Sequence, residues 1–424
     1  MLKPEENDRL VRVGRGKPAG ELFRRYWQPA LLSSELPERE GPPLRVRLLG
    51  EDLIAFRDTE GRVGLMDAFC PHRRAPMFYA RNEECGLRCI YHGWKFDVTG
   101  ACVDMPSEPK GMRMMANVRI SAYPTVERGG IVWAFLGPKP DMPDPPDYEW
   151  LRAPPTHRFV SKTFENCNYL QALEGGLDTA HSSFLHNNNI RNAKLLRTRD
   201  QAPQIDVKPT DYGYYYVSTR AAGEGHKYVR VYQYVMPFQQ MRANYTAREG
   251  QGREQIPKLD GHLWVPIDDE HTFVFNWTCS YDDSAPLTEQ FVQEWESTYG
   301  RGTDDLIPGT FKLKLGQHND YLIDREVQRT QTFSGIRGIN TQDMALQEGM
   351  GPIVDRSKEI LGTSDKAIVT MRRLLLEATR AVERGERPKG ADPATHRNIR
   401  PHDRVITSDS NWRETFGMEL VAKW

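Results

Sequence analysis

The chain has 424 residues, with 57 lysines and arginines against 58 aspartates and glutamates, for a formal charge of −1. That length exceeds what one hydrophobic core usually supports, so two domains or one domain with a large second lobe are expected, and the charge balance makes no field for gathering nucleic acid or an anionic membrane. The amino terminus, Met1-Leu2-Lys3-Pro4-Glu5-Glu6, leads into more charges, and the longest apolar run, Ile131 to Leu136, is too short to span a bilayer; a cytoplasmic protein with neither nucleic acid nor membrane as partner is expected.

From about Pro43 to Leu136 the pattern is of short strands between turn residues: Leu44 to Leu49, Leu53 to Phe56, and Gly130 to Leu136. This predicts a small all-β domain. Gly137 to Asp147 follows, with prolines at 138, 140, 143, 145 and 146, a composition that excludes helix and central strand and suits a stiff connector. Beyond it, Phe164 to His186 has helix-forming stretches, while Tyr212 to Met236 and Thr272 to Ser280 are rich in the aromatic and β-branched residues of sheet strands. A further helix is predicted from an N-cap at Ser364, with Asp365 in its first turn, an apolar stripe of Ile368, Met371, Leu375 and Ala378, and a stop at Gly385. The fold class is therefore α+β.

Six cysteines are few for this length, and in a reducing compartment they bear on metals more than on disulfides. Cys70-Pro71-His72-Arg73 and Cys89-Ile90-Tyr91-His92-Gly93-Trp94 place two Cys-His pairs across a loop. A Rieske 2Fe-2S cluster needs two thiolates on one iron and two imidazoles on the other, and these pairs supply them. Zinc is the alternative, although Cys-x-His is tighter than usual zinc spacing and no finger-like helix signal accompanies it. Cys85 and Cys102 read as small side chains without chemistry.

The second part of the chain contains Glu174-Gly175-Gly176-Leu177-Asp178-Thr179-Ala180-His181-Ser182-Ser183-Phe184-Leu185-His186. Two histidines and one carboxylate on one face of an iron make the facial triad of non-haem Fe(II) oxygenases, with positions left open for dioxygen. On an ideal helix His181 and His186 diverge, so their convergence demands a bend or loosened turn between them. Asp178, three residues before His181, falls beside it on a helix. The bland alternative is that both histidines satisfy local hydrogen bonds.

These motifs, with the flanks Gly93-Trp94-Lys95-Phe96-Asp97 and Gly100-Ala101-Cys102, resemble those of Rieske non-haem iron ring-hydroxylating oxygenases. Val13-Gly14-Arg15-Gly16, Arg24 to Pro29 and Gln347 to Arg356 extend the likeness over nearly the whole chain, toward the phthalate-dioxygenase-like branch. Respiratory Rieske proteins carry a disulfide where this chain has Ala75 and Tyr91, which favours the oxygenase or ferredoxin type.

The resemblance implies an oxygenase (alpha) component holding a Rieske 2Fe-2S cluster on Cys70, His72, Cys89 and His92 and a mononuclear non-haem Fe(II) on His181 and His186. Its carboxylate ligand is identified in Asn340-Thr341-Gln342-Asp343-Met344-Ala345 as Asp343, with Glu348 and Asp355 as substitutes. Asp178 is implied to bridge His181 to a cluster histidine of a neighbouring subunit.

The same resemblance implies an all-β Rieske domain and a catalytic domain of helix-grip type, an antiparallel sheet flanked by helices. The expected division is an N-terminal segment, residues 1–40, packing with the catalytic domain, a Rieske domain at 41–137, a proline-rich linker at 138–157 and a catalytic domain at 158–424. Implied partners are dioxygen, an aromatic acid, and an external NAD(P)H-dependent reductase carrying FMN and 2Fe-2S; the implied assembly is a homotrimer or a dimer of trimers. The expected reaction is cis-dihydroxylation of an aromatic carboxylate, the alternative O-demethylation of a methoxylated aromatic acid, and the rival class a non-enzymatic iron-sulfur electron carrier. Phthalate-converting members are expected to carry an arginine in the stretch Tyr212 to Tyr216, where this chain has Tyr215, which argues against phthalate itself. Arg220, Lys227, Arg230 and Arg242 can each pair with a carboxylate, and each is expected to be a solvated charge.

Overall fold

The apolar run Ile131–Phe135 is a strand with every residue buried, as a short continuous apolar segment bounded by turns requires. It lies antiparallel between Trp27–Leu32 and Thr125–Arg128. The structure is a computed structural model that describes residues 2–109, 113–192, 200–243 and 258–424. Two four-stranded sheets complete the first unit: Leu44–Leu48, Glu51–Arg57, Val63–Asp67 and Ala122–Tyr123 in one, Arg81–Glu83, Gly86–Arg88, Lys95–Phe96 and Cys102–Asp104 in the other. A core of Ile54, Phe56, Met66, Met77, Leu87 and Phe96 extends to Cys70, Cys89 and Trp94.

The unit spans Val13–Pro146, and the chain up to Arg12 joins Asp147–Trp424 in the other unit. This differs from the expected division at both ends. Most of segment 1–40 belongs with the β unit because Trp27–Leu32 pairs with Ile131–Phe135; only helix α1 (Pro4–Val11) packs with the second unit, where Tyr169 Oη donates to Leu10 O at 2.8 Å and Asn168 Nδ2 to Val11 O at 3.0 Å. The connector is likewise divided, at Pro146.

The second unit is built on an eight-stranded antiparallel sheet. Its strands are β1 (Arg158–Glu165), β2 (Gln204–Pro209), β3 (Gly213–Gly223), β4 (His226–Val235), β5 (Gln239–Ala243), β6 (Lys258–Pro266), β7 (Thr272–Ser280) and β8 (His402–Thr407). The order is β1-β7-β6-β5-β4-β3-β2, with β8 also paired to β4. The aromatic stretch 212–236 thus divides into two strands, joined through Glu224 and Gly225, both at positive φ (48° and 74°), the backbone that a tight hairpin turn demands.

Helices α2 (Tyr169–Leu177) and α4 (Lys366–Glu383) pack on this sheet and on each other, and α3 (Ile339–Gly349) packs on α2. Asn168 caps α2 by accepting from Leu170 N. A Cβ at Gly176 would stand 2.0 Å from the Trp264 ring on β6, so only glycine lets α2 approach this closely. In α4 the stripe of Ile368, Met371, Leu375 and Ala378 is buried as expected. Its N-cap is Asp365, one residue later than expected, because Thr363–Asp365 forms a 3-10 turn in which Asp365 Oδ2 accepts from Gly362 N at 2.6 Å. None of the described helices is long and apolar enough to cross a membrane.

Candidate metal centres and active site

Cys70 and Cys89 stand at equivalent places in two similar loops. In one, Arg74 N donates to Cys70 O and Cys70 N to Ala75 O; in the other, Gly93 N donates to Cys89 O and Cys89 N to Trp94 O, all at 2.9 Å. Both loops turn through positive φ, at Arg74 (57°) and Gly93 (79°). The two cysteines are buried, whereas His72 and His92 are half-buried, with ring centroids 4.5 Å apart. Trp94 stacks on His72 at 4.3 Å and fixes its plane.

Burial, with Cys89 adding to it, pushes the Cys70 thiol up to about 11, against the pull of the His72 and Arg73 backbone amides. A thiolate at Cys70 near neutral pH therefore calls for a cation. Two inner sulfurs and two outer imidazoles fit a Rieske cluster, which needs both donor types on separate irons. Cys85 is half-buried and Cys102 buried, both free.

The second centre depends on a helix that stops. After α2 the chain leaves helical geometry at Asp178 and re-enters it as a 3-10 turn, His181–Ser183. Leu185 N still donates to His181 O at 2.8 Å. That loosened turn brings His181 Nε2 and His186 Nε2 to 3.1 Å, the convergence the five-residue spacing required. Asp343, on α3, completes the group with Oδ1 at 3.5 Å from His181 Nε2 and 3.2 Å from His186 Nε2. Among the described residues these three form a set whose ligand atoms lie within 4.8 Å of one another.

The outer nitrogens are held as well. His181 Nδ1 faces Asp178 Oδ2 at 3.3 Å, and His186 Nδ1 lies 2.8 Å from Gln342 Oε1. Gln342 is fully buried, and its amide nitrogen donates to Asn188 Oδ1 and Ile336 O. Its Oε1 is thereby left to accept, which places the His186 proton on Nδ1 and the lone pair on Nε2. Burial raises the Asp343 carboxyl, but His186, His181 and Arg242 outweigh it and hold the group below the usual carboxylate range. Asp178 is similarly held low, by His181 and the Ala180 and His181 amides against its burial. Two imidazole Nε2 atoms and one carboxylate are the donor set that ferrous iron takes with open positions remaining.

The substitutes for Asp343 lie elsewhere. Glu348, further along α3 and on a different side of it, is engaged by Asn166 N and Tyr321 Oη, and the exposed Asp355 pairs with Ser357 and Lys358. Gln342 carried no role in the sequence reading; its one signal was adjacency to Asp343. A second acidic group, Asp58, Glu60 and Cys85, is answered by Arg62, which pairs with both carboxylates.

A cavity of about 460 Å³ opens over His181, His186 and Asp343. Alternate residues of the sheet face it, as strand geometry dictates: Thr163 and Glu165 on β1, Arg220 on β3, Tyr228, Arg230 and Tyr232 on β4, Arg242 on β5, and His262 and Trp264 on β6. Three of the four cations expected to be solvated therefore line a cavity; Lys227 does not, and bonds Ser408 O at the surface. Arg220 supports the loop that carries His181 and His186 through Ser183 Oγ and Thr179 O. Arg242 Nε donates to Asp260 Oδ1, and its Nη2 lies 2.9 Å from His262 Nε2. Burial and the neighbouring Arg242 keep His262 neutral. Tyr215 is on the opposite face of β3, against Trp412, with its hydroxyl bonded by Arg413 at 2.6 Å; the missing arginine at that place does not alter the cavity.

Residues 26–124 match the Rieske [2Fe-2S] domain, and residues 134–422 match the family described as LigXa C-terminal domain like. The chain belongs to the Rieske non-haem iron oxygenases. Within this family it is 38% identical to the phthalate 4,5-dioxygenase oxygenase subunit of Pseudomonas putida, over 98% of this chain and 94% of that one. It is 40% identical to the 3-chlorobenzoate-3,4-dioxygenase oxygenase subunit of Comamonas testosteroni, over 93% of each. Against the 5,5'-dehydrodivanillate O-demethylase oxygenase subunit of a Sphingobium species it is 35% identical, over 94% of this chain and 86% of that one. The structure of dicamba monooxygenase bound to dicamba aligns with a TM-score of 0.61 at 20% identity, covering 86% of this chain and 99% of that one, and shares the α+β architecture of a Rieske β domain and a helix-flanked antiparallel sheet. This Rieske oxygenase is an oxidoreductase, the oxygenase component of a system whose cofactors are a 2Fe-2S cluster and a mononuclear non-haem iron and whose electrons come from a separate reductase.

Proposed function

We propose that this chain cis-dihydroxylates an aromatic carboxylate: the acid, dioxygen, two electrons and two protons give a cis-dihydrodiol. The observation that carries the substrate class is the cavity wall, where Arg230 and Arg242 offer guanidinium groups beside the aromatic sides of Tyr228, Tyr232 and Trp264. Guanidinium pairs with a carboxylate bidentately, and stacked or edge-on rings favour a flat aromatic body.

In this reading Cys70, His72, Cys89 and His92 hold the cluster, and His181, His186 and Asp343 hold the iron. When bound, these groups supply single electrons and activate dioxygen. The chain's own residues do the rest. Asp178 and Gln342 fix the Nδ1 sides of the two imidazoles so that both Nε2 atoms point at one place. Asp260 and His262 hold the Arg242 guanidinium in one orientation, so that a carboxylate bound there sets the ring over the iron ligands. Asp178 also serves as the hydrogen-bonded link from His181 to a cluster histidine of a neighbouring subunit in a homotrimer or dimer of trimers. The partner reductase carries FMN and a 2Fe-2S centre, and the system works in the cytoplasm, where NAD(P)H feeds it.

A second reading is O-demethylation of a methoxylated aromatic acid, favoured by the relative that is an O-demethylase oxygenase subunit. One experiment separates the two. The holoenzyme, a reductase and NADH are given phthalate, 3-chlorobenzoate and methoxybenzoates, and products are read by mass spectrometry with a formaldehyde assay. Diols without formaldehyde support dihydroxylation, and formaldehyde with a free phenol supports demethylation. The carboxamide of whichever acid is converted should react about 10–100-fold more poorly in kcat/KM, the worth of a charge-assisted hydrogen bond; equal use of acid and amide would remove the arginine argument.

A further inference from the structure

Glu165 ends β1 on the cavity face. It is only 2% exposed, and Glu348 of α3 is close enough to repel it. Two carboxyls buried near each other do not ionise together, and hydrogen bonding decides which one keeps the proton. Glu348 has two good donors: Asn166 N on Oε1 at 2.9 Å, and Tyr321 Oη on Oε2. Both stabilise an anion. Glu165 Oε1 receives the Cys167 thiol, a weak donor, at 3.5 Å. The geometry therefore puts the charge on Glu348 and the proton on Glu165.

The titratable groups that bear on Glu165 are Glu348 and Asp343 from α3, Cys167 from the turn after β1, and Tyr321 from the segment behind α3; none is a cation. Asp343 is left out of the balance, because a carboxylate bound to a metal no longer repels its neighbours as a free one does. Burial, and after it Glu348, push the Glu165 carboxyl above the usual carboxylate range, and with only a thiol donor on its Oε1 it is an acid with a proton to give. It shares the cavity with His181, His186 and Asp343.

We propose that Glu165 is a catalytic proton donor, its neutral carboxyl delivering to the cavity one of the two protons consumed when two electrons reduce dioxygen. The inference rests on the oxygenase reading of the site. After donating, the Glu165 carboxylate regains a proton from water, so the balance over a turnover is unchanged. The acid form is the active one, so the rate is full below the Glu165 pKa and falls as pH rises through it.

The test uses the holoenzyme and two readouts. At pH 7 its infrared spectrum should contain a protonated-carboxyl C=O band that is lost as pH is raised, disappears in Glu165→Gln, and persists in Glu348→Gln with its titration moved to lower pH. Dioxygen uptake by the chemically reduced holoenzyme should be about 10²-fold slower in Glu165→Gln, without the alkaline fall of the wild type, while iron content and cluster spectrum stay the same. Glu165→Asp should keep the band and regain part of the rate. Uptake is measured with phthalate, with 3-chlorobenzoate and with neither; failure to convert any acid counts against the aromatic-acid reading, whereas the two readouts still judge Glu165. A band that survives Glu165→Gln, or uptake and pH profile equal to wild type in that variant, overturns the proposal.

Discussion

In the small unit, four candidate ligands come from two matching loops on either side of the Arg81–Glu83/Gly86–Arg88 hairpin, and the backbone bonds of each loop fix its own cysteine. In the large unit, two candidate ligands come from the turn after α2 and the third from α3, far along the chain; the group exists only because α2 and α3 pack where they do. The loops of the first site carry their geometry locally. The second depends on tertiary packing: Gly175 and Gly176 have no side chain, so α2 can lie against Gln347 of α3 and Trp264 of β6. A local site should therefore resist changes elsewhere in the molecule, whereas a site assembled from distant elements should be sensitive to the residues that orient its ligands.

The largest expected effects come from removing ligands, and they test whether the two centres are independent. His181→Ala or His186→Ala should lower iron from about three per chain to about two, abolish product formation and leave the visible spectrum of the cluster intact. Cys89→Ala should do the reverse, losing the cluster spectrum while the large unit still binds one metal. Loss of both metals in a folded single variant would show the centres to be coupled.

The next effect is also large and concerns communication between them. Asp178→Asn should keep both metals yet slow product formation strongly, because the carboxylate that faces His181 Nδ1 at 3.3 Å is replaced by a neutral amide. If transfer runs between chains, mixed oligomers of Cys70→Ala and His181→Ala subunits should recover activity that neither parent has. Dead mixtures with confirmed subunit exchange would place transfer within one chain, and loss of iron in Asp178→Asn would make Asp178 a ligand.

The same contrast accounts for what could be read from the sequence. Cys70, His72, Cys89 and His92 are recognisable by spacing because each ligand pair lies within one short loop. His181 and His186 were legible as a pair, together with the need for a broken helix between them. Asp343 was found only through resemblance, since no spacing rule relates a residue on α3 to the turn after α2. Gln342 was missed because a buried glutamine becomes informative only when its partners, His186, Asn188 and Ile336, are seen around it. Arg230 and Arg242 were read as solvated because strand alternation gives two faces without saying which one closes over a cavity. The unit boundary was misjudged for a similar reason: pairing of Trp27–Leu32 with Ile131–Phe135 is a long-range contact.

A moderate effect is expected at Gln342. Replacing it with Leu keeps the volume and deletes the acceptor that orients His186, so iron affinity should fall about 10–100-fold while the cluster is untouched. Dialysis against a chelator, followed by iron analysis, measures it. Unchanged affinity would mean that α3 positions Asp343 well enough for His186 to need no support.

The smallest effect is expected at Tyr215, the position where sequence resemblance looked for an arginine. Its ring lies against Trp412 and its hydroxyl accepts from Arg413 Nη2 at 2.6 Å, on the sheet face opposite the cavity. Tyr215→Phe removes that one hydrogen bond at the surface and leaves the ring packing. Stability should fall by about 0.5–1.5 kcal/mol or less, and kcat/KM for every acid converted should stay as it is, because the proposed substrate face is the cavity wall of Tyr228, Arg230, Tyr232 and Arg242. Thermal denaturation and a substrate panel run side by side decide the matter. A changed order of preference among the acids in Tyr215→Phe would mean that the two faces of β3 communicate, and the assignment of specificity to the cavity-facing row would have to include the row behind it.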